Sequence, residues 1–194
     1  MIIACISAYQ DRCWVGGTIE SLRGKVDRII VVDGAYKGFP LYGETGASTD
    51  GTPEMAKILG AEVIRCDGIW EDQTEKRNQY FIGGEDDWYL SIDSDERLKG
   101  TIVIDDADSY RIKVNDIPFL RLIKHREGLR YEGTHSALFD NNGYIDPAEA
   151  PIMRSCEIEH LRMYRDDDRK QRKQVYYGLQ YDQEQEFKAK HKIP

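Results

Sequence analysis

Apolar residues fall along this chain in short continuous runs separated by stretches of helical spacing. Residues 2–7 form the first such run, the pattern of a strand covered on both faces. Residues 14–23 then place Trp14, Val15, Ile19 and Leu22 on one helical face, with Gly24 as a stop. Residues 28–33 read as a second buried strand, and a long Gly- and Tyr-rich loop runs from Gly34 to Asp50. Thr52, Pro53 and Glu54 announce a helix: a hydroxyl cap, a proline in the first turn and an acid at the positive end of the dipole. Met55, Ile58 and Leu59 give that helix its apolar face, and Gly60 ends it. Residues 61–66 predict a third strand, 71–82 a third helix and 88–93 a fourth strand. Strand and helix alternating at this spacing imply right-handed crossovers and a parallel sheet.

After Lys99 the runs shorten. Residues 101–104, 109–115, 119–123, 135–139 and 155–161 read as strands, with a turn at Asn142-Gly143. They predict a mixed or antiparallel extension of the sheet. Residues 165–190 are polar and helix-favouring, with Val175, Leu179 and Phe187 as docking contacts; Gly178 leaves open one helix or two. The expectation is therefore an α/β fold: a mostly parallel, Rossmann-like sheet flanked by helices, with a mixed C-terminal extension and a C-terminal helix. Residues 1–164 would form one catalytic domain, with 1–98 a nucleotide-binding half and 99–164 an acceptor half, and 165–194 a helical extension.

Composition narrows the function. The chain has 194 residues, enough for one domain with a real core, and its 40% hydrophobic and 32% charged residues are those of a globular protein. A formal net charge of −8 argues against a general binder of nucleic acid or membrane surfaces. Cys5, Cys13, Cys66 and Cys156 are scattered without paired spacing, which suits free thiols in a reducing compartment, with Cys5 and Cys66 as buried filler. No apolar run reaches membrane-spanning length and the chain opens directly on a strand, so the expectation is a cytoplasmic protein with no integral membrane segment.

The residues with chemistry cluster where the four strands of the first half end: Ser7-Ala8-Tyr9, Asp33-Gly34, Cys66-Asp67 and Asp93-Ser94-Asp95. In open parallel sheets that edge is where a ligand crevice forms. If the backbone stays extended past Ile92, Asp93 and Asp95 point to the same side, where two carboxylates seat Mg²⁺ or Mn²⁺ rather than zinc. An acidic turn that merely ends a strand would read the same way.

In order along the chain, residues 3–9, Val31-Val32-Asp33-Gly34 and Ser48-Thr49-Asp50-Gly51-Thr52 resemble the nucleotide-binding half of a family 2 glycosyltransferase with the GT-A fold. Trp70, Lys76-Arg77-Asn78 and the Asp-x-Asp-Glu of residues 93–96 continue the match. Residues 122–125, 129–133, His135 and Ile158-Glu159-His160 are similar to the lipopolysaccharide-core branch of that family. Asp33 followed by glycine replaces the usual acid pair, and no Glu-Asp pair follows the metal motif.

That resemblance implies inverting transfer of a sugar from a nucleoside-diphosphate donor, a UDP-sugar first among them, with Mn²⁺ or Mg²⁺ as cofactor. Asp95 would ligate the metal, Asp93 would touch the donor ribose or a metal-bound water, and His160 would be a third metal contact. Ser7, Ala8 and Tyr9 would line the base, and Asp33 would accept a hydrogen bond from base or ribose. Arg77 would meet phosphate and Asn78 would hold the loop beneath it. Glu132 and His135 are the candidates for the base that activates the acceptor. Arg111, Lys113, Arg121, Lys124, Arg126 and Arg130, against only Asp116 and Glu127, suggest an anionic acceptor. An Asp-dependent phosphohydrolase, a nucleotidyltransferase and a non-catalytic nucleotide- or metal-binding module are the competing readings.

Overall fold

The structure, a computed structural model, describes residues 1–38, 46–133, 137–165 and 167–193. Its first half runs β1 (Ile2–Ala8), α1 (Arg12–Leu22), β2 (Arg28–Asp33), α2 (Thr52–Ile58), β3 (Glu62–Arg65), α3 (Gln73–Asn78) and β4 (Trp88–Asp93). The second half adds β5 (Glu96–Gly100), β6 (Ser109–Val114), β7 (Ile117–Lys124), β8 (Arg130–Tyr131), β9 (Leu138–Asp140), β10 (Gly143–Tyr144), β11 (Ile152–His160) and α4 (Asp167–His191). One sheet has eight strands in the order β3-β2-β1-β4-β7-β6-β11-β5, and β8, β9 and β10 form a small antiparallel sheet. The β3-β2-β1-β4 half is parallel throughout, and β7 and β5 run antiparallel to their neighbours. This is the α/β class expected, with a parallel nucleus and a mixed extension.

Strand alternation divides the core between the two faces. Ala4, Ile6 and Ala8 of β1, Val31 of β2 and Leu90 and Ile92 of β4 pack with Val15, Ile19 and Leu22 of α1 and Ala56 of α2. Ile3, Cys5, Ile30, Val32 and Tyr89 point the other way, toward Trp70, Tyr80, Tyr131 and Tyr176. Period-two placement thus buries both faces of the central strands, which is why those runs are continuously apolar.

Several local expectations are corrected. Asp93 ends β4 and Ser94-Asp95 form a turn, so the acids are not carried on one extended strand; Glu96 already begins β5 at the far edge of the sheet. Residues 101–104 form no strand: the Thr101 amide still donates to the Ser155 carbonyl at 3.0 Å, but the ladder between β5 and β11 ends at Gly100. The third helix is only Gln73–Asn78, capped by Asp72 rather than starting at residue 71. Gly51, at φ 89°, is the N-cap of α2, and the Thr52 hydroxyl serves elsewhere: it accepts from the Asp11 amide at 2.7 Å. Residues 167–191 are one helix through Gly178, on which Val175 is exposed. Cys66 is half-buried rather than fully enclosed. Among the described residues, no helix is long and apolar enough to cross a membrane.

Asn78 and Tyr131 exchange hydrogen bonds at 3.1 and 2.7 Å, clasping β8 to the end of α3. α4 lies against the same face: Tyr176 meets Tyr36 edge-on at 5.4 Å, and Phe187 meets Phe139 at 6.1 Å. The two halves are joined inside the sheet by Glu96, which has no exposure, accepts from Arg121 of β7 at 2.6 Å and from the Asp93 amide at 2.8 Å. Burial pushes the Glu96 carboxyl up and Arg121 opposes that. Removing one member strands the other charge, so Glu96→Ala is expected to lose about 3–5 kcal/mol of stability. Urea unfolding followed by circular dichroism measures it.

Candidate functional site

A cavity of about 380 Å³ opens at the carboxyl ends of β1 and β4. Ser7, Ala8 and Tyr9 line it from β1 and the turn after it, and Asp93, Ser94 and Asp95 from the end of β4. α3 contributes Gln73, Lys76 and Arg77, β11 contributes His160, and α4 with its approach contributes Arg165, Lys170, Gln174 and Tyr177. Three ladder pairings bring the strand ends level: Ser7 pairs Val32 and Asp93, and Ala8 pairs Asp33.

Each acid of the Asp-x-Asp pair has its own arginine. Arg77 sits on the face of β4 that carries Ser91 and Asp93, and donates to both, at 3.5 Å and 3.0 Å. The i, i+2 spacing of strand side chains makes one guanidinium reach both. Asp95 lies in the turn that follows β4. It accepts from Arg165 Nε at 2.7 Å, and His160 Nε2 lies 3.4 Å from the same Oδ2. His160 is delivered there by register: it pairs with Glu96, next to Asp95, and the following Leu161 amide donates to the Asp95 carbonyl at 2.9 Å. Asn115 closes the end of β11 by two hydrogen bonds to the His160 backbone, at 3.0 and 3.2 Å.

Burial raises the Asp95 carboxyl, but the His160 hydrogen bond and the Arg165 guanidinium outweigh it and hold the group well below the usual carboxylate range. The same hydrogen bond raises His160 above its ordinary value, against the opposing effect of burial. Arg165 also donates to Asp11 Oδ1 at 2.5 Å and to Ser94 Oγ at 3.1 Å, and lies over the Trp14 ring at 5.2 Å. Asp11 in turn accepts from the Tyr9 amide at 3.1 Å and Ser94 Oγ at 2.7 Å, fixing the turn after β1.

Lys76 is buried, and its ammonium donates to the Ala8 and Gly34 carbonyls at 2.8 and 2.6 Å. It therefore ties the carboxyl ends of β1 and β2 to α3. Asp33 lies outside the cavity lining. Its carboxylate accepts from the Ser48 amide at 3.1 Å and hydroxyl at 2.5 Å and faces Arg65 at 3.4 Å. Burial raises that carboxyl, with Ser48 acting against the rise. Asn78 is also outside the lining, occupied with Tyr131. Glu132 is paired with Arg130 at 2.7 Å and does not line the cavity, and His135 lies outside the described residues. Of the basic stretch, Arg121, Arg126 and Arg130 are matched by Glu96, Asp140 and Glu132.

A divalent cation fits one part of this donor set. Adjacent ligands of an octahedral cation with bonds of about 2.0–2.1 Å stand roughly 3 Å apart. Asp95 Oδ2 and His160 Nε2, at 3.4 Å, are close to that spacing. Among the described residues, no group of three or more His, Cys, Asp or Glu side chains is placed to hold a metal. A cation here could take Asp95 and His160 and would need its other positions filled by ligand oxygens and water. The Arg165 guanidinium rests on the same carboxylate oxygen.

No family model matches the chain, and no curated protein matches it. Among solved structures it is similar to S. aureus TarS 1-349, with TM-score 0.43 and 16% identity over 58% of this chain and 35% of that one. The complex of that protein with UDP-GlcNAc gives TM-score 0.42 and 16% identity over 58% of this chain and 34% of that one. Glucosyl-3-phosphoglycerate synthase from Mycobacterium tuberculosis, with Mn²⁺, UDP and glucosyl-3-phosphoglycerate, gives 0.35 and 23% over 50% of this chain and 34% of that one. The chain thus spans about a third of the length of these proteins.

Sequence patterning missed Asp11, Lys76 and Arg165 as members of the site. Asp11 carries a signal, a polar residue between the first strand and an amphipathic helix. Lys76 carries a weaker one, beside Arg77 in the helix before β4. Arg165 carries none, because its partners Asp95 and Asp11 lie 70 and 154 residues away.

The Asp95–His160 contact has a pH signature. A histidine raised in the folded state binds its proton more tightly there than when unfolded, so its contribution is complete below about pH 6.5 and is lost as pH rises through the raised folded value. In metal-free buffer, the stability difference between the wild type and His160→Gln should therefore shrink from pH 6 to pH 8.5. Urea midpoints across that range measure it, and a constant difference would contradict the contact.

Proposed function

We propose that this chain is a metal-dependent glycosyltransferase that takes a nucleoside-diphosphate sugar as donor. The observation that carries the reading is a cavity that gathers Asp93, Asp95 and His160 beside Lys76, Arg77 and Lys170, with Tyr9, Tyr36 and Tyr177 among its walls. Its acids suit a cation, its bases suit a diphosphate and its aromatics suit a nucleobase. A family 2, GT-A-like enzyme with an inverting mechanism is the specific form of the reading.

In this reading Tyr9 and the backbone of Ser7 and Ala8 hold the base, and Asp93, steadied by Arg77, takes the ribose. Asp95 and His160 hold Mn²⁺ or Mg²⁺, which when bound supplies a Lewis acid for the departing diphosphate. Arg77 adds fixed positive charge on the cavity wall, where preorganised charge favours the leaving group, and Lys170 brings a more exposed ammonium to the same cavity. Lys76 acts at one remove, by fixing the carbonyls of Ala8 and Gly34 and so the floor beneath the donor. Asp33 shapes the same edge through Ser48. Glu132 would serve as base only after leaving Arg130. Because three arginines of the basic stretch are paired with acids, Lys113, Lys124 and Arg111, which donates to the Ala150 carbonyl, are left to carry the case for an anionic acceptor.

Thermal denaturation with UDP or GDP, each with and without Mn²⁺, tests the reading. The expected result is a nucleoside-diphosphate stabilisation that requires Mn²⁺ and is lost in Asp95→Ala. Asp95→Ala is also expected to lower donor hydrolysis, measured across a panel of sugar nucleotides, by at least about a hundredfold. Stabilisation by orthophosphate analogues alone would favour a phosphohydrolase.

A further inference from the structure

We propose that Arg165 is a displaceable internal counter-cation, occupying the Asp95 carboxylate until a divalent cation takes its place, so that metal arrival releases the base of α4 from the site. The inference rests on the reading of this cavity as a metal and diphosphate site, and adds to it a competition within the chain itself.

The geometry is that of a plug. Arg165 spans three anchors, Asp11, Ser94 and Asp95, at 2.5, 3.1 and 2.7 Å. Its side chain is only 9% exposed, and the Trp14 ring covers the guanidinium. Its Nε uses the same Oδ2 that lies 3.4 Å from His160 Nε2. One carboxylate oxygen beside an imidazole is what a cation would need, and a guanidinium in contact with that oxygen repels a second positive charge. The two occupants are therefore exclusive at that oxygen.

The plug is attached to one wall of the cavity. Arg165 lies two residues before α4, and Lys170, Gln174 and Tyr177 of that helix line the same cavity. Lys170 is itself drawn back toward its own segment, bonding the Met163 carbonyl at 3.3 Å and Asp167 at 3.0 Å. Farther along, Tyr176 is held against Tyr36, and Phe187 against Phe139. Releasing Arg165 would thus free the first turn of α4 while its aromatic contacts keep the rest of the helix docked. The cavity mouth would open at the end nearest the metal.

The probe is Mn²⁺ in the presence of UDP, with binding followed by the loss of the free-ion electron paramagnetic resonance signal. An arginine in place about nine-tenths of the time weakens apparent affinity about tenfold. Arg165→Gln is therefore expected to bind Mn²⁺ about tenfold more tightly than the wild type. Asp11→Asn, which keeps an acceptor for the Tyr9 amide but weakens the hold on Arg165, should shift affinity in the same direction. Hydrogen exchange of the wild type should show the amides of residues 163–171 exchanging faster once Mn²⁺ and UDP are added. Asp95-dependent Mn²⁺ binding that is equal or weaker in both variants, with circular dichroism unchanged, overturns the competition and leaves the metal site standing. Absence of Asp95-dependent Mn²⁺ binding in the wild type and in both variants overturns the metal site and the inference together.

Discussion

Carboxylates gathered at the dry end of a sheet must be matched by cations, and that requirement organises this molecule. Asp11, Asp95 and Glu96 are buried within a few residues of one another in space, and Asp93 stands beside them, half-buried. Left unpaired, each would cost several kcal/mol of lost hydration. The chain answers with Arg165 on Asp11 and Asp95, Arg77 on Asp93 and Arg121 on Glu96. Each arginine comes from a different element: the approach to α4, α3 and β7. Charge balance at one turn therefore fixes the relative positions of three distant pieces of chain, and the same turn supplies the acids that face the cavity.

The backbone around the cavity is held as firmly as the charges. Lys76 closes on the Ala8 and Gly34 carbonyls, and the Trp70 indole donates to the Asp33 carbonyl at 3.0 Å. Gly34, at φ 126°, lets the chain turn there while the Gly46 carbonyl approaches closely enough to accept from the Ala35 amide at 2.7 Å. A side chain at Gly34 would collide with that carbonyl and with the Trp70 ring. Loops after parallel strands are ordinarily the mobile part of such a fold. Here buried donors on α3 and on the β3–α3 connection take up their carbonyls.

What was legible in the sequence was whatever leaves a local trace. Continuous apolar runs marked β1, β2 and β4, and alternation of strand with helix marked the parallel order. The strand-end acids Asp93 and Asp95 do share one cavity with Ser7, Ala8, Tyr9, Arg77 and His160. The route differs: a turn at Ser94-Asp95, rather than an extended strand, brings Asp95 round to His160. Illegible were the pairings made across the fold. Nothing near Asp33 announces that Ser48 will take its carboxylate, and nothing near Arg165 points to Asp95. Ion pairs formed at long separation have no period to detect. The cap of α2 failed for a related reason: Thr52 has the right chemistry for a cap, but its hydroxyl is drawn to the Asp11 amide by a neighbouring element.

The strand order has a consequence for how the chain can assemble during synthesis. β5 follows β4 after a two-residue turn, yet among the described residues its ladder is with β11, whose residues 152–160 emerge some fifty residues later. β4 likewise acquires its second neighbour only when β7 has been made. The nascent parallel nucleus must therefore wait with one open edge, and Glu96 with an unmatched charge, until the later segments leave the ribosome. High contact order of this kind slows folding and exposes a strand edge in the interval. A truncation between β7 and β11 would leave the acidic turn without its closing strand, so the two halves of the chain are not separable folding units.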